Sequence, residues 1–568
     1  MKAIGIKRQI TVDSGTVRND MRNLRMLEGA ARAGRLGPGE RANGHGAAHI
    51  AGVGVVTVLV ATAYVEFSLS RYYNFRSASY DLVIFDQAVR SYAHFQPGIS
   101  IIKGLHNGFG PNFSVLGDHF SPILACLAPL YWIHDGPQTL LVAQSVLFAL
   151  AVPPLWIFTR RAFGGGRNAT IAAYLACVAY GLSWAIASAA AADFHEVAFA
   201  PVLTAVALER FQAGRLRSAL IALAVLLLVK EDMGLLVAGI GCYLAVSRPR
   251  VVRGQWIAAV ACVVVGVAYT AFAVYVLLPA FGGRADYYWA YSSLGRGVPQ
   301  AAWHVLTHPF SSLRLILTPG VKVHTLLWLV GAVCFLPLLS PIALAAVPLL
   351  LERMLNSKFP NWWVTNFQYN AYLVVVFVFA AVDGAARLDR WATRGWRYLR
   401  SRSVLPTSDG ADQAADTPVT PNAGLAALAC AAAMIAVAVY SVPHFAFGPA
   451  LHPSFYQRTA RTNAAAAAAA AVPSGVTVAA ANHVGPHLSA RDTVLLWDGN
   501  GYTPPFAASW VIANDRRRQF TFSSVRDQRD RIRLLERYGY RIVFRRAGYI
   551  VLHRGAGQNG HPTAKVAR

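Results

Sequence analysis

Apolar residues recur along this chain in runs of roughly 18–25 positions, the length a helix needs to cross about 30 Å of hydrocarbon. The runs predict eleven membrane-spanning helices, over 50–68, 138–159, 169–190, 196–211, 217–232, 233–247, 255–280, 323–338, 340–354, 367–384 and 423–441. Those within 196–232 and 323–354 are short. Ser121–Ile133 is apolar but too brief to span, and reads as an interfacial helix. After 441 the pattern changes. The alanine run 464–471 predicts a helix. Val476–Ala480, Thr493–Trp497 and Ser509–Ala513 read as strands, and Arg526–Tyr538 has helical spacing. Arg541–Phe544 and Tyr549–His553 form a terminal hairpin around Ala547 and Gly548. The fold class is therefore an α-helical polytopic membrane protein with a C-terminal exterior α/β domain.

Composition supports this. Of 568 residues 55% are apolar and 14% charged, against about 25% charged in an average soluble domain. A soluble multidomain enzyme and a disordered chain are both excluded. The six cysteines all fall in apolar runs with no Cys-x-x-Cys spacing, so they read as small packing residues rather than as a disulfide framework or a zinc site.

The net charge of +25 first suggests nucleic acid, anionic lipid or topology. Its distribution favours topology. Nine Lys and Arg residues lie in the polar arm 1–48, and further arginines fill alternate connections: Arg160, Arg161 and Arg167; Arg210, Arg215 and Arg217; Arg248, Arg250 and Arg253; Arg387 to Arg402. By the positive-inside rule these are cytoplasmic. The reading is a disordered cytoplasmic arm (1–48), a membrane domain (49–441) with exterior loops 69–137 and 281–322 and a flexible cytoplasmic loop 403–422, an exterior α/β domain (442–554) and a disordered tail (555–568). Localisation is a bacterial inner or plasma membrane. No nucleic-acid partner is needed. Segment 442–568 carries 17 Lys and Arg against 6 Asp and Glu, enough to attract anionic lipid or acidic glycan.

Carboxylates are scarce, and several gather at the exterior ends of the spans, where ionisable groups are costly and tend to be functional. They are Asp81 and Asp86, Asp118 with His119, Asp193 with His195 and Glu196, and Lys230 with Glu231 and Asp232. Such groups can take a proton from a hydroxyl, hold a hard divalent cation such as Mg or Mn, or bind a phosphate. They can also be structural: Asp118 and Asp193 suit helix N-caps, and Lys230 to Asp232 suits a self-paired turn. Tyr288, Tyr291 and Trp303, then Trp362, Trp363, Phe367 and Tyr369, supply rings that fit sugar faces or an interfacial belt. A phosphate-binding Gly-Lys-Ser/Thr loop is absent. His195-Glu196 opens like a zinc-protease helix, but Phe199 stands where a second histidine is needed.

The order of these parts resembles the GT-C superfamily of polyprenyl-phosphate-sugar glycosyltransferases. The order is one span, a long exterior loop with an early Asp, a Pro-containing apolar stretch, and an acid after the third span. More closely, the chain resembles a bacterial family of predicted membrane proteins of unknown function. The carrying residues are Tyr80-Asp81, Phe85-Asp86-Gln87, Gly117 to Pro122, Asp193 to Glu196, Lys230 to Asp232, Tyr291, Leu294-Gly295, His308-Pro309, Leu355 to Ser357, and Pro486 to Arg491, across roughly 50–555. Gln368-Tyr-Asn370 departs from it, where family members often carry histidine.

The superfamily resemblance implies Asp81 or Asp86 as general base on an acceptor hydroxyl. It implies Asp193 with His195 and Glu196 positioning a metal or the donor phosphate, Asp118 being a further metal candidate. It implies Lys230 as phosphate partner, with His119, Glu231, Asp232, Tyr288 and Tyr291 as substrate-binding candidates. The expected function is sugar transfer from a polyprenyl-phosphate donor to an envelope glycan or protein acceptor on the exterior face. Two rivals are a lipid or solute transporter, which predicts deep intramembrane charges and an internal repeat, and a non-enzymatic envelope scaffold.

Overall fold

The computed structural model describes residues 44–247, 253–284, 289–403, 425–498 and 508–555. Most of the arm, nearly all of the 403–422 loop and the tail after 555 lie outside these. The chain divides after Val55, inside its first helix (Gly44–Tyr73), and the cavities and pairings below belong to Val56–Arg568.

Each of the eleven apolar segments is helical in whole or in part, but their lengths differ from expectation. Among the described residues six helices are long and apolar enough to cross a membrane: Ala47–Tyr73, Pro137–Ala162, Arg167–Ala191, Gln255–Ala280, Gln368–Gly395 and Leu425–His444. A seventh forms if Pro309–Leu317 and Gly320–Gly331, bent by 79°, count as one span. Leu216–Leu227 and Met233–Val246 are shorter apolar helices, and Pro122–Tyr131 is a short apolar helix where an interfacial one is expected.

The spans differ in what covers them. Gln368–Gly395 is 83% buried over its apolar window and is the central helix, whereas Gln255–Ala280 is only 28% buried and leaves most of its apolar surface for lipid. Met233–Val246 and Gln255–Phe272 approach through glycines: a Cβ on Gly234 or Gly266 would stand 2.3 Å from the other's carbonyl oxygen. Small residues permit such crossings in membranes.

The C-terminal part forms the expected α/β unit. Helix Ala460–Ala470 opens with a capping box between Thr459 and Thr462. The strands are β1 (Thr477–Ala480), β2 (Thr493–Leu496), β3 (Trp510–Asn514), β4 (Arg541–Arg546) and β5 (Tyr549–His553), in the order β2-β1-β3-β5-β4. β1 runs parallel to β2 and β3, while β5 is antiparallel to β3 and β4. Ala547 (φ 46°) and Gly548 (φ 89°) make the two-residue turn between β4 and β5, the positive-φ pair a tight hairpin requires. Ser524 caps helix Val525–Arg537 by accepting from the Asp527 N–H.

This unit is docked on the loop after the first span. Asn482 receives the Ser79 N–H and hydroxyl at 2.7 and 2.8 Å on its carbonyl, and the Tyr80 N–H at 3.0 Å on its side chain. Gln87 donates to the Val494 carbonyl at 2.9 Å, and His106 meets Asp498 at 2.7 Å. Gly485 sits against Ser79, whose Oγ would be 2.1 Å from an added Cβ.

Candidate functional site

Two cavities meet beneath the docked unit. The first, of about 630 Å³, is polar: Asp81, Lys103, Asp118, His119, His195, Glu196, Lys230, Lys358, Asn482 and Phe520 are among its walls. The second, of about 560 Å³, is walled mainly by apolar groups from Leu235, Val274, Leu278, Val298, Ala301 and Leu306. His119, Lys230, Trp362 and Tyr369 line both and form a shared wall.

Local backbone decides which carboxylate reaches the polar cavity. Asp81 sits in a π-type turn, Ser79–Val83, with φ 123°, a conformation that costs a non-glycine residue about 1–3 kcal/mol and persists only where neighbours enforce it. Here Asn482 pins Ser79 and Tyr80, and Asp193 Oδ2 accepts the Ala78 N–H at 2.7 Å. The Asp81 side chain is 40% exposed and lies 3.7 Å from His195 Nε2.

Asp86 is placed differently. Helix Ile84–Ala93 turns it inward, fully buried, where Arg90 grips both carboxylate oxygens at 2.8 and 3.1 Å and Tyr131 donates at 2.8 Å. It is not among the residues walling either cavity.

Asp193 is also buried and lies behind the cavity, with φ 67°. Gln144 reaches from the second span to hold its turn, donating to the Asp193 carbonyl at 2.8 Å and accepting the His195 N–H at 3.0 Å. Asp193 thus fixes backbone, and its neighbours His195 and Glu196 face the cavity.

Three ion pairs join further charges of the site. Lys103 meets Asp118 at 2.9 Å, His119 Nδ1 meets Glu231 at 2.8 Å, and Lys230 meets Asp232 at 3.2 Å. Glu231 and Asp232 open on the apolar cavity, as does Tyr291. Tyr288 lies outside the described residues. Among the described residues no group of three or more His, Cys, Asp or Glu side chains is arranged to hold a metal ion. Asp118 is committed to Lys103 and His195 faces Asp81. The Asp118, His195 and Glu196 set therefore does not fit a divalent cation as it stands, and no step below runs through one.

Two buried oxygens on the polar cavity's walls, Glu196 Oε2 and Gln368 Oε1, have no hydrogen-bond partner. Orphaned polar atoms of this kind call for a ligand or water.

Burial works against a charged imidazole at His119, but the Glu231 carboxylate outweighs it and holds the pKa above its usual 6.5. At His195 burial is outweighed by Asp81 and Glu196, with the same result. A raised folded-state pKa contributes stability that is complete below about 6.5 and lost as pH climbs through the folded value. The melting temperature is therefore expected to fall as pH rises above 6.5, and a His119→Gln/His195→Gln variant to show a flatter slope. Equal slopes would mean these rings are uncharged in the folded protein.

Lys103, Lys358, Asn482 and Phe520 are site residues the sequence did not single out. Lys103 had a signal, being the one lysine in the cation-poor loop 69–137. Asn482 and Phe520 had none, because they reach the cavity only through the docking of the sheet.

Residues 71–551 match the family described as Predicted membrane protein (DUF2079). No curated protein matches the chain. Among solved structures it is similar to ArnT from Cupriavidus metallidurans bound to undecaprenyl phosphate, at 14% identity and a TM-score of 0.49, covering 90% of this chain and 99% of that one. The apo form of ArnT matches at 14% identity and a TM-score of 0.45, covering 90% and 100%. The chain belongs to the DUF2079 family of predicted membrane proteins.

Proposed function

We propose that this membrane protein is a glycosyltransferase of GT-C type, moving a sugar from a polyprenyl-phosphate donor to a cell-envelope acceptor on the exterior face of a bacterial plasma membrane. The observation that carries this is the shared wall. An apolar cavity and a polar cavity touch at His119, Lys230, Trp362 and Tyr369, which suits a ligand with a hydrocarbon tail, a charged joint and a polar head.

In this reading the prenyl tail lies along Leu235, Val274 and Leu278, and the phosphate rests against Lys230 and charged His119. The sugar occupies the polar cavity, where Glu196 and Gln368 offer unpartnered oxygens to its hydroxyls. The acceptor hydroxyl attacks the anomeric carbon as the bond to the phosphate oxygen breaks. Asp81 takes the hydroxyl proton, and polyprenyl phosphate leaves with its charge held by Lys230 and His119. His195 beside Asp81 orients that carboxylate. A single displacement of this kind inverts the anomeric centre.

The test is photo-crosslinking with a polyprenyl-phosphate analogue carrying a diazirine in its tail. Cross-links are expected at Leu235, Val274 or Leu278. Labelling confined to the outer, lipid-facing surface of the spans would remove the basis for the proposal.

A further inference from the structure

The three parallel strands of the C-terminal sheet end at one edge, and that edge meets the polar cavity. Asn482 follows β1 and Phe520 follows β3, and both line the cavity; Asp498 follows β2 and pairs with His106 at 2.7 Å. In the order β2-β1-β3 the chain leaves β1 to one side and later returns to its other side. Ligands of open α/β sheets bind outside the carboxyl ends of the strands at such a switch point. Here the crevice between β1 and β3 opens on the reaction cavity.

The same edge is basic. Residues 508–555 hold twelve arginines against four acidic residues. Six of them, Arg516, Arg517, Arg518, Arg529, Arg545 and Arg546, are exposed and lie after β3, at the start of the helix Val525–Arg537, and at the end of β4. Arg545 meets Asp515 Oδ2 at 2.9 Å and Arg529 donates to the Asp515 carbonyl at 2.9 Å. Arg516 packs on Gly548 of the β4–β5 turn, and the Arg517 carbonyl accepts from Gln528 at 2.9 Å. The Asp515 carboxylate thus neutralises one of these cations, Arg545, leaving a surplus of positive charge that begins two residues before Phe520.

We infer that this carboxyl-edge arginine cluster binds a carboxylate-bearing glycan and leads it into the cavity as acceptor; the acceptor role rests on the transfer reading above, while the binding does not. Guanidinium groups pair carboxylates through two parallel hydrogen bonds. The cluster lies on the strand-end edge whose Asn482 and Phe520 line the cavity, and starts two residues from Phe520, which favours an extended chain over a lipid surface.

The test uses the full chain in phosphatidylcholine nanodiscs, with oligogalacturonate as probe and a maltooligosaccharide of equal length as the neutral control. Oligogalacturonate is expected to bind, the neutral chain not, with affinity falling as salt is raised. Arg516→Gln/Arg517→Gln/Arg546→Gln should weaken binding about tenfold, from three exposed pairs of modest strength each. The corresponding three Arg→Lys changes should restore most of it. Equal binding of both glycans, or an unaffected glutamine variant, overturns the inference. Phosphatidylglycerol vesicles bound with the same dependence on these arginines would reassign the edge to lipid and also overturn it. Because the assay needs no donor and reads binding alone, failure of the transfer chemistry and failure of this binding are separately visible.

Discussion

Asp81→Asn is expected to lower the rate of sugar transfer by about 10²- to 10⁴-fold, the usual contribution of a positioned general base, while leaving the fold intact. The side chain is 40% exposed and its ion pair with His195 is long, at 3.7 Å, so neutralising it removes little that holds the structure. Donor binding should persist, because the phosphate is assigned to Lys230 and His119. Asp86→Asn should behave in the opposite way. It strips the charge from a buried carboxylate gripped by Arg90 and Tyr131, leaves Arg90 with only its more exposed partner Asp135, and should cost about 1–3 kcal/mol with near-normal turnover per folded molecule. The measurement is transfer to acceptor in proteoliposomes beside thermal unfolding. Full activity in Asp81→Asn would sink the assignment of the base; an inactive but fully stable Asp86→Asn would move it five positions along the chain.

Lys230→Met is expected to damage both stability and donor affinity, and a second variant separates the two effects. Lys230 and Asp232 are buried and 3.2 Å apart, with Glu231 alongside. Removing the cation alone strands the Asp232 carboxylate, at a cost of about 3–5 kcal/mol. Lys230→Met/Asp232→Asn removes both charges and should recover most of the melting temperature. It should not recover the lipid phosphate's partner, so the KM for a polyprenyl-phosphate donor is expected to stay raised by tenfold or more, the equivalent of about 1.4 kcal/mol. A double variant with normal stability and normal KM would leave Lys230 a structural residue and the shared wall without its phosphate site.

The two variants rest on different features of the same wall. Beside Lys230 two ion pairs come from nearby in sequence or from the loop after the first span: Asp232 for Lys230, and His119 for Glu231. Around Asp81 the backbone itself is held out of its preferred region by a partner more than four hundred residues away in the chain, Asn482. The C-terminal unit therefore shapes the cavity directly, through the turn that presents Asp81 and through the walls it adds.

Much of this protein is set by local sequence. Helix follows from apolar runs because a backbone in hydrocarbon must satisfy its own hydrogen bonds, so all eleven apolar segments contain helix. The strands after 476, the Thr459 and Ser524 caps and the Ala547-Gly548 turn follow from alternation, side-chain acceptors and a positive-φ requirement, each acting within a few residues. The gathering of Asp81, Asp118, His195, Glu196 and Lys230 on one cavity was foreshadowed by their common place at the ends of apolar runs.

Long-range packing decided the rest. Span lengths were misjudged where protein, not lipid, covers the helix ends, as between 196 and 232. Asp81 and Asp86 look alike in sequence, yet a turn pinned by Asn482 and Asp193 sends one into the cavity, while helical spacing to Arg90 and a hydroxyl from Tyr131 draw the other into the core. Strand order likewise has no local signature. It arises from which edges find partners, and it is what brings Asn482, Phe520 and the arginine edge to the acids of the membrane domain.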